Sequence, residues 1–333
     1  MSYLYVLEQG ASINFKANRF EVHYKDGMVK SIPAETLDMI EVFGNVKLTT
    51  PCIQSCLQHG VNVAFFSSNG AYFGRLISTN HVNVHRQKLQ ARLCQDEEFK
   101  LSLSRGWIDA KINNQIVILR RYGKNYDVDN CIKQMKIMQK KVNSYASNLE
   151  ELIGYEGTAA RLYFQQLGKL VNPEFAFSKR SRRPPLDPYN SLISLGYSLI
   201  MNEIYGKLEG KGLNPYFGFL HKDREKHPTL ASDLMEEWRA VMVDSIALAM
   251  LNGKELVQES FYQIGDTPGV FLTKDAFKKY VGKLENKLKA TSQYLSYIDY
   301  GVSFRRAMDL QIEQLIKAME EHDASLYQPI KVR

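Results

Sequence analysis

The sequence predicts an α+β protein in which a small antiparallel β domain, residues 1–82, precedes a larger all-helical domain, residues 83–333. Short segments with strand-like alternation, separated by turn residues, fill the first 80 positions. From about Asn83 the apolar residues instead recur every three or four positions, which is the helical period. A chain of 333 residues with 44% hydrophobic content is long enough to build both domains.

The first four predicted strands are short. They are YLYVL at 3–7, SINFK at 12–16, RFEVHYK at 19–25 and MVKSI at 28–32. The last two flank Asp26-Gly27, a dipeptide typical of the two-residue turn of a β-hairpin. We therefore predict antiparallel pairing in this domain.

A short helix separates these strands from the rest of the domain. Pro51 follows Thr49 and Thr50, the residue order expected at a helix N-terminus. The helix is predicted to run through Leu57 and to stop before Gly60. Two further strands, VNVAFFS at 61–67 and AYFGRL at 71–76, complete the β pattern.

The second domain contains a series of helical segments. They lie near 84–121, 129–146, 157–171, 190–208, 229–252, 273–290 and 302–321. Ser147 and Glu150 have the spacing of a capping box, which predicts a short helix that ends at Gly154. Glu156 would then lie at the turn into the next helix.

The positive charge is unevenly distributed. The chain has 43 Lys and Arg against 36 Asp and Glu, a net charge of +7. Residues 1–80 hold six of each sign, so the whole excess lies beyond Asn80. The second domain is therefore the expected polyanion-binding part.

The basic charges cluster in one predicted loop, residues 174–190. Its three prolines forbid a continuous helix. Four cations crowd into it, Lys179, Arg180, Arg182 and Arg183. They suit contact with nucleic-acid phosphates, with base stacking from Phe175, Phe177 or Tyr189. The alternative is a solvated, exposed segment.

Several classes of protein are not supported. The start of the chain lacks the pattern of a signal peptide, and no window has the apolar length of a membrane span, so a cytoplasmic protein without a membrane partner is expected. Four cysteines without paired CxxC spacing disfavour structural zinc, and Cys52 and Cys56 are predicted to be buried in the short helix. The phosphate-loop and dinucleotide-binding glycine patterns do not occur.

An acidic cluster follows a histidine in the stretch from Pro215 to Arg239. Asp233, Glu236 and Glu237 lie at positions i, i+3 and i+4, so they are predicted to share one helix face and could approach one ion together. Such acids are often solvated partners of the helix dipole, which is the alternative interpretation. His221 ends an apolar run, whereas the competing His227 lies in the charged loop KDREKHP.

Glu156, in GYEGTAARLYF, completes a possible three-ligand metal site. Carboxylates bind hard divalent ions, and an imidazole shifts the preference toward Mn without excluding Mg. The residues therefore predict metal-assisted phosphate chemistry.

The motifs taken together resemble a known family. GYEGTAARLYF, SKRSRRPPLDPYNSLISLGYSLI, GLNPYFGFLH and ASDLMEEWR occur in this order, and the resemblance covers nearly the whole chain. They resemble the CRISPR-associated spacer-acquisition integrase, the first-numbered Cas protein, also called its endonuclease. By this resemblance Glu156, His221 and Glu236 are the metal ligands, and Asp233 is a further acid needed for activity. Many relatives carry Asp at the position of Glu236, so the neighbouring Glu237 stays a second choice.

The resemblance also implies an assembly and a reaction. The β domains would form a homodimer, and a small second-numbered Cas protein would bridge two dimers around a prespacer duplex. A 3′-hydroxyl of that duplex would attack a phosphodiester at the border of CRISPR repeat DNA, assisted by Mn or Mg, and replacement of the hydroxyl by water would give DNA cleavage. The sequence also allows two other functions, a metal-dependent nuclease without integrase activity and a non-catalytic DNA-binding scaffold. A helical metalloenzyme acting on a small phosphate ester is less consistent with the exposed basic segment.

Overall fold

A computed structural model describes residues 2–295 and 297–332. It divides into two compact units. The first comprises the chain up to Val84 together with Gly206–Leu213, and the second comprises His85–Tyr205 together with the chain from Asn214 onward. The predicted order, a small β region followed by a larger helical region, is confirmed.

The first unit contains two four-stranded sheets. Its strands are β1 (Ser2–Val6), β2 (Ser12–Lys16), β3 (Arg19–His23), β4 (Val29–Pro33), β5 (Leu37–Phe43), β6 (Lys47–Leu48), β7 (Asn62–Phe66) and β8 (Tyr72–Leu76). One sheet has the order β1-β5-β7-β8 and the other β4-β3-β2-β6. The two sheets share a core that includes Val6, Ile13 and Phe20, all fully buried.

Strand direction is mixed, so the prediction of a purely antiparallel domain is wrong for part of it. β2, β3 and β4 pair antiparallel, and the hairpin turns at Gly27 with φ of 84°. In contrast, β1, β5 and β7 run parallel. Parallel neighbours need a crossover connection, and helix α1 (Thr50–His59) supplies the one between β5 and β7. Strand alternation alone does not encode this direction.

Helix α1 forms where the sequence predicts it. The Thr49 hydroxyl accepts a hydrogen bond from the Cys52 N–H at 3.4 Å, and Gly60 adopts the left-handed conformation that ends the helix. The helix runs to His59, two residues past the predicted end. Cys52 and Cys56 are buried, as predicted, and their thiols are free.

The remaining helices follow the predicted pattern, although several of their limits differ from the prediction. They are α2 (Val84–Leu93), α3 (Glu97–Tyr122), α4 (Asp129–Ser144), α5 (Leu149–Leu170), α6 (Pro188–Gly210), α7 (Thr229–Met235), α8 (Ser245–Asn252), α9 (Lys274–Lys289) and α10 (Phe304–Glu320). The single helix predicted over 84–121 is two helices, because the Asp96 carboxylate caps a new N-terminus by accepting from the Phe99 N–H at 3.0 Å.

A π-helical segment, Arg239–Asp244, lies between α7 and α8. Short strands also interrupt the helical region: β9 (Phe261–Gln263) pairs with β10 (Val270–Leu272), and β11 (Thr291–Ser292) pairs with β12 (Val302–Ser303). The second unit is therefore predominantly rather than entirely helical.

The prediction of a helix that ends at Gly154 is wrong. Helix α5 is continuous from Leu149 to Leu170, and Asn148 caps it by accepting from the Glu151 N–H at 2.9 Å. Glu151 accepts in return from the N–H of Ser147, the residue before the cap, so the helix start is held by Asn148 and Glu151 and not by the predicted pair of Ser147 and Glu150. Glycine weakens a helix without forbidding it, and packing against neighbouring helices decides the outcome. Glu156 consequently lies inside a helix.

Across residues 2–295 and 297–332, none of the helices combines the length and the apolar character that a membrane crossing requires.

Candidate metal-binding active site

Two of the predicted acids meet around a lysine inside the second unit. Lys111 lies on α3, Glu156 on α5, and Glu236 directly after α7. The Lys111 Nζ is 2.6 Å from Glu236 Oε2 and also contacts Glu156 Oε1. The Glu236 side chain is 4% exposed, so this cluster of charges is largely removed from water.

His221 lies in the segment between α6 and α7, beside the same acids. Its Nδ1 is 2.6 Å from Asp233 Oδ1, and its Nε2 is 4.0 Å from Glu236 Oε1. Since a carboxylate only accepts, the hydrogen bond requires Nδ1 to carry the proton, which leaves the Nε2 lone pair directed toward Glu236 whenever the imidazole is neutral.

Asp233 also shapes the backbone that carries the histidine. Its buried carboxylate accepts the backbone N–H groups of Phe219 at 2.8 Å and Leu220 at 2.9 Å, as well as that of His221 at 3.2 Å. A Cβ at Gly218 would lie 2.7 Å from Asp233 Oδ2. The segment therefore needs glycine at 218, and Asp233 fixes both the chain and the imidazole.

Burial and neighbouring charges shift the pKa values of Glu236, Lys111 and His221. Burial raises the pKa of Glu236, but the Arg239, Lys111 and His221 charges outweigh it and hold the net pKa well below the usual value. For Lys111, burial lowers the pKa, while Glu156 and Glu236 more than compensate and raise it. Burial also lowers the pKa of His221, but the hydrogen bond to Asp233 and the Glu236 charge give a net increase.

The sequence left Glu236 and Glu237 as alternative metal ligands. In the structure their carboxylates contact different residues. Glu237 accepts hydrogen bonds from the Tyr327 hydroxyl at 2.6 Å, the Ile330 N–H at 2.7 Å and the Gln311 amide at 3.1 Å. Burial raises its pKa to about 7. Glu237 thus anchors the C-terminal segment, while Glu236 faces Lys111 and His221.

Sequence reasoning missed two cations of this site. Lys111 has apolar neighbours four and three residues earlier, Trp107 and Ile108, which was the available signal that it lies on a buried helix face. Arg239 donates from its Nη2 to Glu236 Oε1 at 3.1 Å, and its guanidinium lies over the Tyr197 ring at 4.6 Å. Both were overlooked because charged residues are assigned to the surface by default.

His227, the competing histidine, forms a local turn. Its backbone N–H donates to the Arg224 carbonyl at 3.1 Å. The imidazole hydrogen bond to Asp233 belongs to His221.

The basic segment divides into two kinds of residue. Lys179, Arg182 and Arg183 are exposed. Arg180 instead donates to Asn190 Oδ1 at 2.8 Å and to Ser194 Oγ at 3.0 Å, and both acceptors lie on α6. Of the four predicted DNA-binding cations, Arg180 is the one held against the protein.

The aromatic residues of this segment are packed inward rather than presented for base stacking. Phe175 and Tyr189 are buried, and the rings of Phe177 and Tyr189 stack on each other at 4.5 Å. The predicted stacking by Tyr189 and Phe175 is wrong because both rings contribute to the core instead.

Asp244 is a buried acid close enough to Arg180 and Arg239 to feel their charges. It accepts hydrogen bonds from the Tyr163 hydroxyl at 2.9 Å and from the Tyr197 hydroxyl. Arg180 and Arg239 both lie over the Tyr197 ring. Burial raises the pKa of Asp244 to about 6.

The raised pKa of Asp244 predicts a pH-dependent stability. The folded state binds this proton more tightly than the unfolded state, so the contribution is fully present below about pH 4 and is lost as pH rises through about 6. The expected loss is on the order of 3 kcal/mol. Urea titrations of Asp244→Asn at several pH values between 4 and 6 test this. The plot of unfolding free energy against pH should be flatter for the variant than for the wild type. An unchanged slope would contradict the raised pKa of Asp244.

The donor types fit a divalent metal ion. The buried Glu236 Oε2 lacks a well-aligned hydrogen bond within the described residues, although Lys111 lies close to it. A carboxylate oxygen of this kind, a second carboxylate and an oriented imidazole nitrogen are suitable ligands. In the part of the chain that the structure describes, no three or more His, Cys, Asp or Glu side chains are arranged to hold an ion as they stand. The ammonium of Lys111 lies between the two carboxylates.

Comparisons with known proteins identify the family of this chain. A family profile described as CRISPR associated protein Cas1 matches residues 4–286. The chain is 38% identical to CRISPR-associated endonuclease Cas1 of Mycobacterium tuberculosis, covering 96% of this chain and 94% of that protein. It is 33% identical to CRISPR-associated endonuclease Cas1 3 of Thermus thermophilus, covering 99% and 97%.

The fold agrees as well. A chain of the Cas6-RT-Cas1–Cas2 complex is similar with a TM-score of 0.85 and 28% identity. The match covers 100% of this chain and 36% of that chain, so this protein spans about a third of the larger one. With the profile match over most of its length, the chain belongs to the Cas1 family of CRISPR-associated proteins.

Proposed function

We propose that this protein is a CRISPR-adaptation integrase and endonuclease that inserts spacer DNA at the repeat. The observation that carries the proposal is the convergence of Glu156, His221 and Glu236 in one unit, with Asp233 orienting the histidine. The relatives named as CRISPR-associated endonucleases support the same chemistry.

Glu156, Glu236 and His221 Nε2 would hold one divalent cation, Mn or Mg. A divalent metal is the cofactor class of the Cas1 nucleases. When bound, such an ion polarises a phosphoryl oxygen and stabilises the charge that develops on it.

The protein side chains have separate tasks in this proposal. Asp233 holds the Nδ1 proton of His221, which keeps the imidazole in the tautomer that offers Nε2. Arg239 neutralises part of the Glu236 charge and limits its movement through the contact with Tyr197. Both residues act by positioning the ligands.

The reaction is a transesterification without a covalent protein intermediate. A 3′-hydroxyl oxygen of the prespacer attacks a phosphodiester at the border of the repeat, forming a new P–O bond as the existing P–O3′ bond breaks. The attacking hydroxyl loses its proton to solvent, and the leaving oxygen becomes a free 3′-hydroxyl after taking up a proton. If water attacks instead, the same site cleaves DNA.

Lys179, Arg182 and Arg183 would contact the phosphate backbone near the reacting end. They are exposed and carry no base-specific geometry, so they supply affinity rather than sequence selection. Arg180, held by Asn190 and Ser194, would position this segment rather than contact DNA.

The assembly is proposed from the family. The first domain, residues 1–82, would mediate a homodimer, and the second, residues 83–333, would carry catalysis and DNA binding. The similarity to a chain of a Cas1–Cas2 complex supports a small Cas2 protein as the partner, with prespacer and repeat DNA as substrates.

One experiment distinguishes the candidate activities. The protein and its Cas2 partner are incubated with a duplex labelled at its 5′ end and bearing a free 3′-hydroxyl, and with a supercoiled plasmid that carries the repeat, with Mn, with Mg or with a chelator. Metal-dependent transfer of label into the plasmid is expected. A 3′-deoxy duplex is the control and should give no transfer.

The other outcomes identify the alternatives. Metal-dependent nicking without joined label would indicate a nuclease. Binding without either reaction would indicate a scaffold and contradict the proposal.

A further inference from the structure

Lys111 is a cation in contact with both proposed metal-ligand carboxylates. Its Nζ contacts Glu156 and lies 2.6 Å from Glu236 Oε2, and its side chain is 11% exposed. The contacts come from two separate elements, α5 and the end of α7. A lysine on a third helix therefore joins the two acids.

The acids need such a partner when no metal ion is present. Two ionised carboxylates side by side repel each other, and a charge taken out of water is costly unless it is paired. Arg239 pairs with Glu236 Oε1, the other oxygen of that carboxylate. The space between Glu156 and Glu236 Oε2 is occupied by the Lys111 ammonium.

We propose that Lys111 is an internal counter-ion that holds Glu156 and Glu236 together in the metal-free protein and is displaced when a divalent cation binds between them. This inference rests on the proposed metal-dependent function, because it concerns the same carboxylates.

Displacement follows from distance and charge. Carboxylate oxygens approach Mg at about 2.0–2.1 Å. An ammonium at hydrogen-bond distance from the same oxygens lies where the ion would be, and the two cations repel each other. The flexible four-carbon stem of lysine allows the ammonium to withdraw without movement of the helix backbone.

The first test measures metal affinity rather than activity. Mn binding is titrated calorimetrically for the wild type and for Lys111→Met, which keeps an unbranched apolar stem of similar length and removes the charge. A neighbouring charge changes the proton affinity of a carboxylate by about 10- to 1,000-fold. The variant is therefore expected to bind Mn at least about tenfold more tightly than the wild type.

Thermal unfolding measures independently how far Lys111 stabilises the metal-free protein. Without metal, Lys111→Met should unfold at a lower temperature than the wild type because its carboxylates repel each other. Saturating Mn should raise its unfolding temperature by more than it raises that of the wild type.

Two further variants control for charge and folding. Lys100 lies on the same helix and pairs with the exposed carboxylate of Glu97, so Lys100→Met should bind Mn like the wild type. Lys111→Arg keeps the positive charge and serves if Lys111→Met fails to fold; it should bind Mn no more tightly than the wild type.

Equal or weaker Mn binding by a folded Lys111→Met variant would overturn the inference, as would tighter binding by Lys111→Arg. Neither result would affect the proposed function. If the wild type bound no divalent ion and joined DNA in chelator, the metal site itself would be contradicted, and the inference with it.

Discussion

His221→Ala should abolish strand joining while leaving DNA affinity largely unchanged. The substitution removes the one imidazole among the proposed ligands, and Asp233 loses the ring that it orients. Loss of an interaction that stabilises transition-state charge costs roughly 100- to 1,000-fold in rate. The rate of label transfer in Mn, measured beside the DNA dissociation constant, checks this expectation.

His227→Ala is the matched control, because it removes a histidine of the same loop that lies outside the proposed site. It should join DNA at the wild-type rate. Normal joining by His221→Ala in Mn would refute the assignment of the imidazole.

Substitution of Glu236 and of Glu237 should have different effects on strand joining. Glu236→Gln removes a proposed ligand charge and should lose joining as His221→Ala does. Glu237→Gln should retain joining but lose about 1–3 kcal/mol of stability, since its amide cannot accept all three hydrogen bonds. The reverse result, inactive Glu237→Gln and active Glu236→Gln, would transfer the ligand role to Glu237.

The exposed cations of the basic segment should control the salt dependence of DNA binding. The triple variant Lys179→Ala, Arg182→Ala and Arg183→Ala removes three charges that face solvent. Each lost phosphate contact should reduce the slope of log affinity against log salt by about 0.9 on duplex DNA. Fluorescence anisotropy over a range of salt concentrations measures the slope.

The control for this experiment removes the same charge elsewhere. Lys133, Lys136 and Lys140 are exposed on α4 and are replaced together by alanine. If both triple variants flatten the slope equally, the effect is one of net charge and the segment has no special role. Arg180→Ala should instead lower the unfolding temperature, because Arg180 bonds to Asn190 and Ser194.

Local patterns in the sequence were sufficient to predict the fold class. Alternation of apolar and polar residues predicted the strands, and Asp26-Gly27 predicted the hairpin. Thr49 and Gly60 indicated where α1 begins and ends. These features depend on neighbouring residues, so a single sequence contains them. Strand direction and the continuity of α5 through Gly154 depend on packing between distant segments, and the sequence did not reveal them.

The same division holds at the site. Spacing and family resemblance indicated Glu156, His221, Asp233 and Glu236 as a group. Only the tertiary structure separated Glu236 from Glu237, set Arg180 apart from its exposed neighbours and placed Lys111 between the acids. The sequence does not show whether a lysine or arginine is solvated or paired with an acid. Its partners lie on other helices or strands, and only folding brings them into contact with it.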